Sequence, residues 1–379
     1  MKFLRGFFVI LIFTISCKNI EEKLDYDQEF TLKDSFEINL DDKTDYNFYY
    51  YDVVNWNERE CLVVINQVNN SLDFYDLESG NKKETIPIPI DGPFGLGYVQ
   101  GFTFVNSDSI FLYRRGTFRG TLLINSLGEV KNSYMPGVKE QSAKDLINHV
   151  SIPKNPTYYK NKNLYFLSYQ LMDNKNPDNF NKDVLHAGKF GIDSLDISFE
   201  KYSGFPPIFW DKTWNSPSTS VSRIMGHEDN WVYSWDLLDS VFVYDFDYKI
   251  KKSYYVKSKL RPSKLDYAEF SFPNETMGSN LYYSIKYDRF RNCYYRIYFA
   301  KPKDKVEEIP GIHRFDFFPF VIVVLDENFK IIVEKFFPAK KYKPTQSFVG
   351  EKGLYLPLSN GLNPELKENK ISYELYQVQ

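Results

Sequence analysis

Three arginines lie close together in one short segment of the chain. Arg114, Arg115 and Arg119 occur with Phe118 in the sequence RRGTFRG. Clustered guanidinium groups suit carboxylates and phosphates, because each planar fork can donate to two oxygens of the same group. The segment therefore predicts an anion-binding loop, and the alternative interpretation is a solvated charged turn.

A second segment, FPPIFWDKTWN, concentrates aromatic side chains and includes Trp210 and Trp214. Exposed aromatic rings can stack on sugars or anchor a protein partner. The alternative is an insertion that packs over its own hydrophobic cluster. His313 and Arg314 lie in a further predicted loop and complete the set of candidate ligand-binding residues.

Motifs for catalysis and metal binding are weak, so the catalytic residues stay unassigned and no metal or cofactor is expected. The four histidines occur singly, without HxH or HExxH spacing, and no GxSxG or CxxC motif is present. The 50 Asp and Glu residues keep a glycosidase with two catalytic carboxylates open as an alternative. Calcium is conceivable in the DLESG and DENF turns, although the same residues suffice as turn formers.

Composition indicates a strand-rich chain and argues against nucleic acid as a partner. Aromatic residues make up 18%, with 30 Tyr and 33 Phe, and such residues favour strands. The net charge is −3 and no long basic run occurs. A nucleic-acid-binding domain would need a positive surface for the phosphates.

An internal repeat organises these segments. Five times a short apolar run ends in Asp or Asn, passes through a polar turn and enters a second apolar run. The marker residues are Asp76, Asn125, Asp193, Asp245 and Asp326. Their short side chains can accept hydrogen bonds from backbone N–H groups two residues on, which stabilises a turn. The pattern predicts five antiparallel hairpins.

Further strand-like runs before each hairpin raise the count to about four strands per unit, which is typical of propeller blades. The C-terminal part supplies three strands, and residues 30–40 supply a spare one. Pairing residues 30–40 outside residues 371–378 completes a sixth blade and closes the ring. We therefore predict an all-β fold, a six-bladed β-propeller over residues 30–379. Seven blades or two β domains are the alternatives.

In a propeller, the loops that join blades and the loops between second and third strands share one face around the central channel. Loops on a rigid scaffold commonly carry function, so this face is the predicted ligand side. It would include residues 91–98, 114–119, 170–186, 204–217, 301–319 and 339–346.

The first residues have the features of a secretory signal. Lys2 and Arg5 precede an apolar run that ends at Ser16 and Cys17. That run is too short to span a bilayer. The sequence TISC resembles a lipobox, which implies cleavage before Cys17 and lipid attachment to it. We assign residues 1–16 to a lipoprotein signal peptide and residues 17–29 to a lipid-anchored tether.

The remaining cysteines, Cys61 and Cys293, lie in apolar strand-like runs. They could pair in an oxidising compartment. The alternative, which their surroundings favour, is that they are separate small buried hydrophobic residues.

The repeat pattern resembles the six-bladed propellers of TolB and NHL type. More closely, the chain resembles an uncharacterised lipoprotein family of Bacteroidota, a domain of unknown function. The resemblance is carried by the SC of the lipobox, by DGPFGLG at residues 91–97 and by DSIF at residues 108–111. It implies export and anchoring in the bacterial outer membrane, with the leaflet left open, and no established activity.

These observations favour a lipid-anchored cell-envelope lipoprotein that is a non-enzymatic binding or scaffold propeller. Its loop face would meet an envelope protein or a glycan, and the membrane would be contacted through the lipid. One alternative is a glycan hydrolase or lyase that uses loop-face carboxylates, so enzymatic activity is left undecided. Another alternative is a structural envelope subunit.

Overall fold

The structure is a computed structural model and describes most of the chain from Tyr26 onward. The described residues are 26–114, 120–134, 149–168, 173, 175–215, 219–265, 270, 279–303, 306 and 309–379.

Six four-stranded antiparallel sheets form the blades of a propeller. The first three blades follow one another along the chain. Blade 1 consists of β2 (Tyr51–Trp56), β3 (Arg59–Asn66), β4 (Ser71–Asp76) and β5 (Lys82–Pro87). Blade 2 consists of β6 (Val99–Asn106), β7 (Ser109–Arg114), β8 (Thr121–Ile124) and β9 (Val130–Tyr134). Blade 3 consists of β10 (Tyr158–Lys160), β11 (Asn163–Leu167), β12 (Ala187–Gly191) and β13 (Ile197–Phe199).

The other three blades complete the ring. Blade 4 consists of β14 (Val221–Met225), β15 (Trp231–Trp235), β16 (Ser240–Tyr244) and β17 (Lys251–Tyr255). Blade 5 consists of β18 (Leu281–Asp288), β19 (Cys293–Phe299), β20 (Phe320–Asp326) and β21 (Ile331–Phe337). Blade 6 consists of β22 (Phe348–Gly350), β23 (Gly353–Pro357), β24 (Lys370–Val378) and β1 (Phe30–Asn39).

Short 3₁₀ helices are the helical elements within the described ranges. They are Pro177–Asn179, Pro207–Phe209, His227–Asp229, Arg314–Phe317 and Pro344–Gln346.

The ring closes through both ends of the chain. The strand order of blade 6 is β1-β24-β23-β22, so the N-terminal strand is the outermost one. Its register runs from Phe30 opposite Val378 to Asn39 opposite Lys370. The predicted closure and the six-blade count are confirmed, and the alternatives of seven blades or two domains are wrong. Each first strand is the innermost, because the first strands of neighbouring blades contact one another around the axis.

Burial along a blade follows the position of each strand. In blade 1, every residue of β4 is buried, whereas β5 exposes most of its side chains. The middle strands are covered on both faces by neighbouring blades, so most of their residues are apolar. The outer strand has one edge and much of its surface in water, which explains its polar composition.

The marker residues form turns in four of the five hairpins. Asp76, Asn125 and Asp326 each accept from the backbone N–H two residues on, at 2.9–3.1 Å, as predicted. Asp245 accepts instead from the N–H five residues on, at 2.6 Å. For Asp193 the predicted bond is wrong, because no backbone N–H of the described residues donates to its side chain, which pairs with a lysine at 2.8 Å.

Both cysteines outside the signal region are buried and free, so the expectation of two separate thiols is confirmed for Cys61 and Cys293. The N-terminal segment already contacts the propeller before β1, since the Tyr26 hydroxyl donates to Glu334 at 2.8 Å. The tether assigned to residues 17–29 is therefore docked on the domain from Tyr26 onward. Among the described residues, no helix is long and apolar enough to cross a membrane.

Candidate functional site

The connections between blades and the connections between second and third strands emerge on one side of the ring, as the strand order requires. We call this side the loop face. The described parts of the loop segments chosen from the sequence belong to it, because each segment joins strands in one of these two ways.

The predicted arginine cluster is described only in part. Arg114 is the last residue of β7 and is exposed. Arg115, Phe118 and Arg119 lie outside the described residues, as does the lipidation candidate Cys17. The anion-binding loop and the lipid anchor stay predictions.

The two tryptophans of the aromatic segment differ in exposure. Trp214 has no exposed surface, and its Nε1 donates to the Phe209 carbonyl at 2.9 Å. This corrects its assignment as an exposed ring, because a fully buried side chain cannot stack on a ligand. Trp210 is half-buried, and its Nε1 donates to the Phe205 carbonyl at 2.7 Å. The segment packs mainly over its own cluster, which was the alternative interpretation.

His313 and Arg314 lie on the loop face, in the loop between β19 and β20 of blade 5, and both are exposed. His313 caps the short helix Arg314–Phe317, with Nδ1 accepting from the Phe315 N–H at 3.3 Å. The pKa of His313 is lowered, first by desolvation among the surrounding loops and then by Lys343 and Arg314. The adjacent cations disfavour a third positive charge.

A buried ion pair that the sequence did not indicate lies beside Arg314. Lys154, from the connection between blades 2 and 3, reaches Asp236, which directly follows β15. Burial raises the pKa of Asp236 to about 7, although Lys154 and Arg314 act in the opposite direction. Burial also lowers the pKa of Lys154. Desolvation penalises both charges, so this pair is held by its geometry and its further contacts.

Two more charged groups extend this arrangement toward blade 6. Asp316 is buried, and burial raises its pKa while Lys343 counteracts the shift. Lys343 is also buried, and its Nζ donates to Asn47 Oδ1. We call Lys154, Asp236, Arg314, Asp316 and Lys343 the charged row. It contains three cations and two carboxylates, from the connection between blades 2 and 3 and from loops of blades 4, 5 and 6.

Only part of the charged row could be read from the sequence. Arg314 was a candidate because it lies in a long loop of the predicted ligand face. Asp236 follows the strand WVYSW, which places it at that face, but nothing local identifies its partner. Lys154 is 82 residues away and is brought there by the ring, so no spacing pattern could connect the two.

Among the described residues, no group of three His, Cys, Asp or Glu could hold a metal ion. The carboxylates proposed for calcium turns accept backbone N–H groups at Asp76 and Asp326. The glycine-rich segment 91–97 forms turns, in which the Gly95 N–H donates to the Gly92 carbonyl at 3.0 Å.

Comparisons with known proteins identify relatives of the same fold. The chain is similar to a crystal structure of a DUF4221 family member from Bacteroides vulgatus, with a TM-score of 0.78 and 22% identity over 93% of this chain and 98% of that chain. It is also similar to a protein from Bacteroides fragilis named as an exported protein, with a TM-score of 0.53 and 12% identity over 92% of this chain and 95% of that chain. No curated protein sequence matches it significantly. Residues 27–336 match the family described as "Domain of unknown function (DUF4221)", and the chain therefore belongs to the DUF4221 family.

Proposed function

We propose that this chain is an exported, lipid-anchored propeller of the cell envelope that binds a protein or a glycan on its loop face without catalysing a reaction. The observation that carries this proposal is the charged row. Its members come from four loops on one side of a rigid scaffold: the connections between blades 2 and 3 and between blades 5 and 6, and the loops between second and third strands of blades 4 and 5.

Burying part of the charged row costs desolvation free energy, since Asp236 and Lys154 are both removed from water. Such groups are often retained at functional sites rather than for stability. Lys154 holds both carboxylate oxygens of Asp236, at 2.9 and 2.7 Å, which fixes the charge in place. A fixed pattern of charges with exposed Arg314 at its centre suits recognition of a complementary partner.

Export is supported by the signal-like N-terminus and by the likeness to a protein named as exported, and the lipid anchor is supported by the lipobox-like sequence TISC. Residues 18–25 would separate the lipid on Cys17 from the docked Tyr26, a reach of roughly 30 Å at full extension. The domain would then stay close to the membrane. Replacing Cys17 by Ala should move the protein from the membrane fraction to the soluble fraction, and unchanged fractionation would contradict the anchor.

Site-specific cross-linking in intact native cells tests the binding proposal. A photoreactive residue at position 314 should capture one envelope component in good yield, identified by mass spectrometry or glycan analysis. The matched control is position 255 on the outer strand of blade 4, where Tyr255 is 73% exposed. Equal capture from both positions, or capture from neither, would refute a specific partner at the loop face.

A glycan hydrolase or lyase is the second candidate, and one observation favours it. Asp236 has a pKa raised to about 7 and shares the charged row with Asp316, whose pKa is also raised. Carboxylic acids with raised pKa values can donate a proton near neutral pH. Turnover of an envelope glycan that is lost in both Asp236→Asn and Asp316→Asn would establish this alternative, and lack of turnover on such substrates would remove it.

A further inference from the structure

A small concavity opens on the loop face next to the charged row. It lies between the connection from β1 to β2 and the turn from β3 to β4, and it encloses about 190 Å³. We call it the Tyr49 pocket. It is lined by Thr44, Asp45, Asn47, Phe48, Tyr49, Tyr50, Ile65, Asn66, Gln67 and Val68. None of the residues singled out from the sequence belongs to it.

Two polar side chains of this pocket, Asp45 and Asn47, are held in place by hydrogen bonds. Asp45 Oδ1 accepts from the Asn47 backbone N–H at 2.8 Å and from Asn47 Nδ2 at 3.2 Å. Lys343 donates to Asn47 Oδ1, and since an ammonium can only donate, this contact fixes which way the amide points. Within the described part of the chain, Asp45 Oδ2 and the Gln67 amide have no hydrogen-bond partner. They are available to hydroxyl groups of a ligand.

An aromatic surface stands beside these polar groups. Tyr49 is 59% exposed, and Tyr98, from the connection between blades 1 and 2, is 50% exposed. Asp45 and Tyr49 both line the pocket, and the pKa of Tyr49 is raised by partial burial and then by Asp45, with a smaller influence from Tyr98. Large rings left in water beside fixed polar groups are typical of recognition surfaces.

The charge of the pocket decides which ligand chemistry fits. Its lining contains one carboxylate and no Lys or Arg, and the neighbouring Lys343 already donates to Asn47 and faces Asp45, so the pocket does not favour a phosphate or a carboxylate. A cationic ligand is disfavoured too, because Lys343 already lies in electrostatic contact with Asp45. Amide and carboxylate oxygens next to a ring suit a neutral ligand with hydroxyls on its edge and an apolar C–H face. A pyranose sugar has both features.

We propose that the Tyr49 pocket binds one pyranose unit of a neutral glycan, with the sugar ring stacked on Tyr49 and its hydroxyls on Asp45 and Gln67. This inference rests on the proposed binding function and names the ligand class of its loop face. A cationic ligand held by Tyr49 and Asp45 is the competing occupant, and the test distinguishes the two.

The full chain in detergent micelles is screened against neutral oligosaccharides, with tetramethylammonium and inorganic phosphate as charged probes. The glycan that binds is then titrated calorimetrically. We expect Tyr49→Ala and Asp45→Asn each to weaken its binding about tenfold or more, and Tyr49→Phe to keep most of it, because the ring is retained. The matched control Tyr255→Ala should bind as the unmodified protein does.

Three outcomes would overturn the inference: no neutral oligosaccharide binds, tetramethylammonium or phosphate binds in its place, or Tyr49→Ala binds sugar normally. Tyr49 is largely exposed, so its substitution should leave the thermal unfolding temperature unchanged and any loss of binding interpretable. Capture of a protein from position 314 together with no sugar binding would refute the pocket assignment and leave the proposed function standing. Sugar binding at the pocket with no capture from position 314 would support the pocket assignment and refute a protein partner at Arg314.

Discussion

Lys154 and Asp236 form an ion pair in which the lysine Nζ lies 2.9 and 2.7 Å from the two carboxylate oxygens. The lysine also donates to Ser220 Oγ at 2.8 Å and lies over the ring of Tyr283, 4.8 Å from its centre. Its own backbone carbonyl accepts from Ser222 Oγ of blade 4 at 2.8 Å. One residue thus connects the segment before blade 3 with blades 4 and 5.

Replacing Lys154 by Met should lower the free energy of unfolding by about 3–5 kcal/mol, because Asp236 is left buried and uncompensated. The double variant Lys154→Met/Asp236→Leu should recover part of that loss. Denaturant titration of the single and double variants measures both effects. Lys160→Met, which removes a partly exposed pair with Asp229, is the control and should cost less than about 1 kcal/mol. Similar losses for Lys154→Met and Lys160→Met would contradict the argument.

Closure of the ring by the N-terminal strand can be tested within that strand. Ile38 is fully buried among side chains of blades 6 and 1, whereas Leu32 on the same strand is 51% exposed. Ile38→Ala should cost about 2–5 kcal/mol through lost burial and the cavity left behind. Leu32→Ala should change the free energy of unfolding by less than about 0.5 kcal/mol. Equal effects in denaturant titrations would show that β1 does not close the ring in this register.

The propeller fold was predictable because each blade repeats the same local sequence pattern of apolar runs and polar turns. The five hairpins indicated five blades. The three C-terminal strands lacked a fourth, and the spare N-terminal strand supplied it, which predicted the sixth blade. Where a strand is short, as in β10 with its three residues Tyr158–Lys160, the local pattern carries little signal. The prediction failed at Asp193, because a turn-forming residue type does not ensure that its side chain forms the turn bond.

That difference between marker residues makes a quantitative prediction. Asp326 accepts from two backbone N–H groups, at 2.9 and 2.8 Å, so Asp326→Ala should cost about 1–2 kcal/mol. Asp193→Ala removes an exposed ion pair with Lys162, and we expect no measurable change in the free energy of unfolding. Urea titration of both variants checks the contrast. A larger loss for Asp193→Ala would mean that its carboxylate does support the turn.

For the candidate site, the sequence predicted the loop face on which it lies but not the contacts between its residues. Topology places the inter-blade loops and the loops between second and third strands on one side, so His313 and Arg314, in a loop of the second kind, could be chosen from the sequence. Lys154, Asp236 and Tyr49 could not, since their roles arise from contacts between loops that are distant in the chain. Trp214 shows the opposite error, because an aromatic side chain in a loop can be buried by the loop itself.

His149 should make the protein less stable in acid. Its side chain is buried, and its Nε2 lies 2.6 Å from Thr157 Oγ1. Burial, and then the charge of Arg223, lower the pKa of His149 to about 3. In the unfolded chain the pKa is near 6.5, so between these values the unfolded state binds the extra proton. The stabilising effect is therefore complete above about pH 6.5 and is lost progressively as the pH falls toward 3.

His149→Gln keeps a hydrogen-bonding group opposite Thr157 and removes the titration. Between pH 7 and pH 5 the unmodified protein should lose about 2 kcal/mol more free energy of unfolding than His149→Gln, which is the linkage expected for this shift over that interval. Urea titrations at both pH values measure the difference. His227→Gln, at a histidine whose side chain is 41% exposed, should show the same acid loss as the unmodified protein. An undiminished acid loss in His149→Gln would mean that other buried groups, and not this imidazole, set the pH dependence.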